Sequence, residues 1–302
     1  MPADTDRGLP QQRIVEQAAQ LPAYAAVTGW AACLLGGAAW FDGLAPDGRT
    51  ELPVPIALGP RGRTRPHDGI ALSYERLPEW EVWTRYGIRT ARPERAVFDE
   101  MRRHGRREAL VALESALAAP ITSLQRMRAY SAAHRSARRI DVVEWSLERA
   151  RGRARSPLEV RVRTIAEEDA GFGRLLVNRV VCDADGRRIG EVDLLEEDPG
   201  AAIEVDGADH REAIRQAWDI TKEEGLRQAG LEVARVTGSQ ARETVTLAAR
   251  LEAVRRRAMA APDSARRWRL EPEPPGAEEV LREGEALALR HEHLDLFPPR
   301  AG

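Results

Sequence analysis

The chain has 302 residues, 46 Lys+Arg against 48 Asp+Glu, 43% hydrophobic residues and two cysteines. That length suggests two domains, and the composition excludes collagen-like, coiled-coil and disulfide-stapled folds. A formal net charge of −2 gives no global attraction to polyanions, so any nucleic-acid binding must come from a local patch.

Lys222 is the single lysine, so arginine supplies nearly all the positive charge. Cys33 and Cys182 match no metal-ligand spacing and read as reduced, buried thiols of a cytosolic protein. The first element along the chain is the uncharged stretch 23–41, long enough to span a membrane. Its few strongly apolar residues and Gly29, Gly36 and Gly37 argue for a buried helix instead. Asp4, Asp6 and Glu16 beside Arg7 and Arg13 do not make the basic start of a signal peptide. The expectation is a cytoplasmic protein with no membrane partner.

Next come LPVPIAL (52–58), IALSYERL (70–77) and WEVWTRYGIRT (80–90), short apolar runs between Gly/Pro signals that suggest strands of a mixed domain. From Pro93 to Ala119 the spacing of Val97, Met101, Leu110, Leu113 and Leu117 is helical, and a second helical block follows over 124–155. Residues 101–163 hold 15 arginines against six acids. This excess reads either as solvated helix faces or as a phosphate-binding surface, with Arg135, Arg138, Arg139, Arg151, Arg153 and Arg155 as the DNA-binding candidates. The run 151–155 reads as a linker, and Ser156-Pro157 opens a helix as N-cap and first helical residue. The expected organisation is a mixed α/β domain over 1–150, a second domain over 151–260 and a mobile Pro/Glu-rich tail over 261–302, with a short helix at 277–289.

The second domain reads as helix (156–170), strand (174–182), strand (189–195), strand (201–206), helix (211–229), strand (231–237) and helix. Asp185-Gly186 marks a hairpin and Gly230 a helix end. Glu159 falls in the first helix, Asp193 in the second strand, and Glu204 with Asp206 on one face of the third. Carboxylates inside apolar strands need a partner, and a hard divalent cation is the natural one. Mg²⁺ or Mn²⁺ held by Asp193, Glu204 and the Val205 carbonyl would polarise a phosphoryl oxygen and generate hydroxide, which points to phosphodiester hydrolysis.

SPLE, GEVDLL, IEVDG and LEVARVT, in this order over roughly 156–240, resemble the PD-(D/E)XK nuclease superfamily. More narrowly they resemble domains related to very-short-patch-repair endonucleases. The resemblance implies a restriction-endonuclease-like αβββαβα domain, with Asp193 as metal-binding Asp, Glu204 as second acid and Glu159 as helix-borne acid. The position of the family's lysine, two residues after the second acid, is Asp206. Lys222 is the substitute by type, but it lies about 18 Å along its helix, which makes its reach to Asp206 doubtful. The resemblance implies that His210 serves as general base, and its shorter reach from the end of the metal-binding strand ranks it above Lys222 in catalysis.

Upstream, LPAYAAVTGWAACLLGGAAW followed by YGIRTARPERAVFDEM resembles the domain preceding such modules in abortive-infection antitoxin-like (AbiEi-like) proteins. A winged helix opens many of those, and there is no room for one before Pro22. The leading expectation is a Mg²⁺- or Mn²⁺-dependent DNA endonuclease. The alternative is a noncatalytic, antitoxin-like DNA-binding regulator that retains the nuclease fold.

Overall fold

A computed structural model describes residues 8–206, 213–262 and 265–272, with the backbone alone for 213–220. It is mixed α/β and divides between Gly152 and Arg153 into two compact units. His210 and the helix expected at 277–289 lie outside the described residues. No helix among those described is long and apolar enough to cross a membrane.

The first unit carries a five-stranded sheet in the order β3-β2-β1-β5-β4. Its strands are β1 (Ala26–Val27), β2 (Val54–Ala57), β3 (Ile70–Ser73), β4 (Val82–Arg85) and β5 (Ile88–Ala91). Tyr86 and Gly87 both have positive φ and close the β4–β5 hairpin as a two-residue turn. The uncharged stretch expected as one buried helix is shared instead between β1 and the short helix α2 (Gly29–Leu35), which follows α1 (Pro10–Ala18). The helical stretch expected over 93–119 forms two helices, α3 (Pro93–Arg103) and α4 (Arg106–Ala118), separated at His104 and Gly105. Pro93 starts α3 because its fixed φ suits a first helical residue and its missing N–H costs nothing there. Then α5 (Leu124–Ala133) is capped by Ser123, whose hydroxyl accepts the Arg126 N–H, and α6 (Ile140–Arg149) follows.

The second unit begins with α7 (Pro157–Asp169) and three antiparallel strands, β6 (Leu176–Asp183), β7 (Arg188–Glu196) and β8 (Ala201–Asp206). Helix α8 (Ala213–Gln228) crosses over to β9 (Glu232–Thr237), which pairs parallel to β8. The short α9 (Gly238–Ala241) and α10 (Thr244–Ala260) follow. Residues 268–270, expected in the tail, form β10 (Trp268–Leu270) at the edge beside β6, giving the order β10-β6-β7-β8-β9. Val181, Val192, Leu195, Ala202, Leu226, Val233 and Trp268 pack into one core joining sheet and helix. Each of the Val and Leu side chains among them contributes about 1.5–3 kcal/mol on burial.

Candidate functional site

The strand register brings the acids together. Leu194 faces Ile203 and Leu195 faces Ala202, so one step further along both strands Asp193 stands opposite Glu204. Here the side chain of Asp193 replaces the backbone ladder: its Oδ2 accepts the Val205 N–H at 2.6 Å. The N–H and C=O of one strand residue point to the same side, so the Val205 carbonyl also faces the β7 side. Across β8, Glu204 stands opposite Arg235 of β9. On β6, Asn178 occupies the position opposite Asp193, between the pairs Val177–Leu194 and Arg179–Val192. One row of polar residues therefore crosses four strands.

Lys222 meets this row from α8 at Glu204, whereas the expectation weighed its reach only against Asp206. Its Nζ donates to Glu204 Oε2 at 2.5 Å. The expectation measured length along the helix, but α8 runs past the sheet, so distance from its start is not distance from the acids. Gly190 of β7 makes the approach possible: a Cβ there would lie 2.7 Å from Lys222 Cγ and 2.9 Å from its Cδ. The lysine stem lies over that gap in the sheet surface.

The charge balance at the row is unequal. Glu191, two residues before Asp193 and on its face, pairs with Arg155 at 2.7 Å. Asp206 lies 3.4 Å from Arg235, which also meets Glu223 of α8 at 3.4 Å. Burial pushes the Asp193 carboxyl up to about 7, reinforced by the negative charges of Glu204 and Glu159 and opposed by the Val205 N–H and Lys222. A proton, or a cation of higher charge, relieves this crowding.

Glu159 is committed to shaping the helix start. Its Oε2 accepts the Arg155 N–H (2.9 Å) and the Asn178 side-chain amide (2.8 Å), and its Oε1 accepts the Ser156 hydroxyl (2.9 Å). Ser156 Oγ in turn accepts the Glu159 N–H, which makes SPLE a reciprocal cap. Asn178 holds this arrangement from a left-handed backbone (φ 50°) and also donates to the Arg153 carbonyl at 2.8 Å. Glu159 therefore acts on Asp193 through its field.

The donor set fits a divalent cation in one respect and is incomplete in another. Asp193 and Glu204 present hard oxygens from facing positions, with the Val205 carbonyl on the same side. Among the described residues, no three His, Cys, Asp or Glu side chains gather as a cage. Mg²⁺ does not require one, since it commonly binds through one or two carboxylates with waters and substrate phosphate oxygens.

The arginine candidates separate. Arg139 sits at φ 62° and turns its guanidinium onto the end of α3, donating to the Arg102 carbonyl at 2.6 Å and to the His104 carbonyl. Arg151 donates to the Arg149 carbonyl at 2.5 Å, while its N–H reaches Glu114 at 2.7 Å. Arg155 holds Glu191, and the Arg153 carbonyl holds Asn178. Arg135 and Arg138 are exposed. Both cysteines are buried and free.

Sequence reasoning missed Glu191, Asn178, Glu223 and Arg235. Of these, Glu191 was legible from its two-residue spacing to Asp193. No family model, curated protein or solved structure matches the chain.

Proposed function

We propose that the second unit is a Mg²⁺- or Mn²⁺-dependent phosphodiester hydrolase acting on DNA. The observation that carries this reading is the meeting of Asp193, Glu204 and Lys222, an acid–acid–lysine set assembled from two strands and a helix. Asp193 and Glu204 would hold the cation, with the Val205 carbonyl as a further ligand. The cation, when bound, supplies charge neutralisation at the phosphoryl group and lowers the pKa of water. Lys222 has two roles open to its chain position. It fixes the Glu204 carboxylate in the resting protein, and it supplies a positive donor beside a phosphate when one arrives. Asp206, held by Arg235, supports the row from its end.

Cleavage of supercoiled plasmid and single-stranded DNA with Mg²⁺ or Mn²⁺ tests the reading, alongside Mn²⁺ calorimetry. The wild type is expected to cut and to bind Mn²⁺, and Asp193→Ala to lose both while staying folded. Equal Mn²⁺ binding by the two proteins sinks the metal site. The Lys222–Glu204 ion pair also favours a second reading, because a lysine that already neutralises one acid suits a noncatalytic DNA-binding regulator. DNA binding by the wild type with no cleavage under either metal selects that reading.

A further inference from the structure

In the first unit a cleft of about 520 Å³ is lined by Trp80, Glu81, Arg92, Arg95, Tyr130 and His134, together with Glu94 and Arg126. That volume lies within the range of sites for small ligands, which pair an apolar wall with a few placed polar groups. The wall is aromatic. Tyr130 and His134 are stacked with centroids 4.1 Å apart and planes 20° apart, and Phe98 meets Tyr130 edge-on at 5.3 Å. Trp80 is 71% exposed, so its indole serves no core.

The polar groups of the cleft are unequal in commitment. Glu81 accepts from Tyr130 Oη at 2.8 Å and from Arg95 Nη1 at 3.2 Å, and Glu94 accepts the Thr122 hydroxyl at 3.0 Å. Both acids are thus engaged within the protein. Arg92, by contrast, is exposed, and its side chain makes no hydrogen bond or ion pair among the described residues. It stands at the N-cap of the 11-residue α3, and Arg126 stands in the first turn of α5. Besides Arg95, which is engaged with Asp99 and Glu81, the cleft is therefore lined by two arginines that stand at helix starts, and helix starts favour anions.

From this geometry we propose that the cleft binds a nucleotide, its base against the aromatic wall and its phosphate at Arg92 and Arg126. The site is independent of the hydrolase reading. The same chemistry is offered by a free nucleoside monophosphate and by the 5′-phosphorylated end of a DNA strand. Calorimetry on the full chain would use AMP, GMP, CMP and TMP, the matching nucleosides, inorganic phosphate and a 5′-phosphorylated single-stranded hexamer.

At least one monophosphate is expected to bind, with its nucleoside and inorganic phosphate each at least about tenfold weaker, a difference of about 1.4 kcal/mol. Trp80→Ala should weaken binding about five- to a hundredfold, the range of one lost base stack. Arg92→Ala with Arg126→Ala should weaken it at least about tenfold, and Arg92→Ala alone, at an exposed position, gives the same direction if the double variant misfolds. Asp193→Ala should leave it unchanged. A hexamer that binds more tightly than the monophosphates, and loses that affinity in Trp80→Ala, identifies a strand end as the ligand; equal affinity identifies the free nucleotide. No binding of any probe at about 5 mM, or binding indifferent to Trp80 and Arg92, overturns the proposal.

Discussion

Both units bury carboxylates, and they differ in how the charge is met. In the first unit Asp99 accepts from the Thr28 hydroxyl (2.7 Å), Arg95 Nε (2.9 Å) and Arg102 Nη2 (2.8 Å), while Glu81 is held by Arg95 and Tyr130. Glu100 accepts the Trp30 N–H at 2.9 Å and meets His104 at 2.7 Å. Asp99 and Glu81 each have an arginine within bonding distance, and Glu100 has a backbone N–H and an imidazole. In the second unit Glu196 is matched likewise by Arg255, but at the candidate site buried Glu159 and Glu204 and half-buried Glu191, Asp193 and Asp206 lie beside Arg155, Lys222 and Arg235, and Asp193 has one N–H and no cation in contact among the described residues. Matched burial locks a fold together, whereas unmatched burial must hold a proton or recruit a cation. The second arrangement is the one that chemistry can use.

The sharpest break of this comparison is Arg95→Ala. It leaves Asp99 and Glu81 buried with their main partner gone, and loss of one member of a buried pair costs about 3–5 kcal/mol. Urea unfolding followed by circular dichroism is expected to show a lower midpoint at unchanged slope. A change under about 1 kcal/mol would mean that Arg102 alone carries the network.

Next in size is the lysine. Lys222→Ala is expected to lower DNA cleavage about a hundredfold, within the range for a positioned catalytic group, measured at a temperature where the variant, which has lost the partner of buried Glu204, is shown to be folded. Gly190→Ala approaches the same result without touching the lysine, because the added methyl would occupy the space of the Lys222 stem. A Gly190→Ala enzyme as active as wild type would show that the stem has another path to Glu204.

Smaller again is the linkage of Asp193 to pH, measured without metal in EDTA. Its folded carboxyl holds a proton to about 7, above the unfolded value near 3.8. Between these pH values the folded state binds more protons, so this group's contribution to stability is complete below about pH 4 and is lost as pH rises through 7. Asp193→Asn removes the loss. The variant and wild type should be equally stable at pH 4, and the variant more stable at pH 8 by roughly 2 kcal/mol, reduced from the buried limit because the side chain is partly exposed. Parallel stability curves from pH 4 to 8 would show that the carboxyl is ionised throughout.

Much of the second unit is legible in the sequence because its strands alternate and its turns are marked. IEVD puts both acids on one face, and Gly230 ends α8 where expected, at φ 95°. The break between α3 and α4 falls in the polar run Arg102–Glu108, where no apolar residue carries a period across and Gly105 is the one break signal. Strand β10 is hidden because three residues in a Pro- and Glu-rich context carry no pattern. At the site, Asp193 and Glu204 stand out as acids within apolar strands. The place of Lys222 does not, since it depends on where α8 crosses β7. Two small residues record that crossing: Gly190, and Gly225, where a Cβ would lie 2.9 Å from Ile189 Cγ2. SPLE was also open to reading as a Ser-x-x-Glu cap, which accounts for Glu159 without a catalytic role.

The smallest expected effect separates arginines that hold the fold from arginines that meet a ligand, the same division at the protein surface. Arg139 bonds two carbonyls at the end of α3, where a positive charge also suits the helix dipole. Its replacement by Ala should cost about 0.5–1.5 kcal/mol of stability and leave the salt dependence of DNA binding alone. Arg135 and Arg138 are exposed, so Ala at both should leave stability within about 0.5 kcal/mol. If they contact phosphates, each lost contact reduces the slope of log K against log salt by about 0.9, whatever the DNA sequence. Fluorescence anisotropy with one labelled duplex at three or more salt concentrations measures that slope for all three changes. A slope altered by Arg139→Ala and not by the Arg135/Arg138 pair would reverse the assignment. Its bonds to the two carbonyls would then have to yield to phosphate, and the charge-matched face of the first unit would itself be a binding surface.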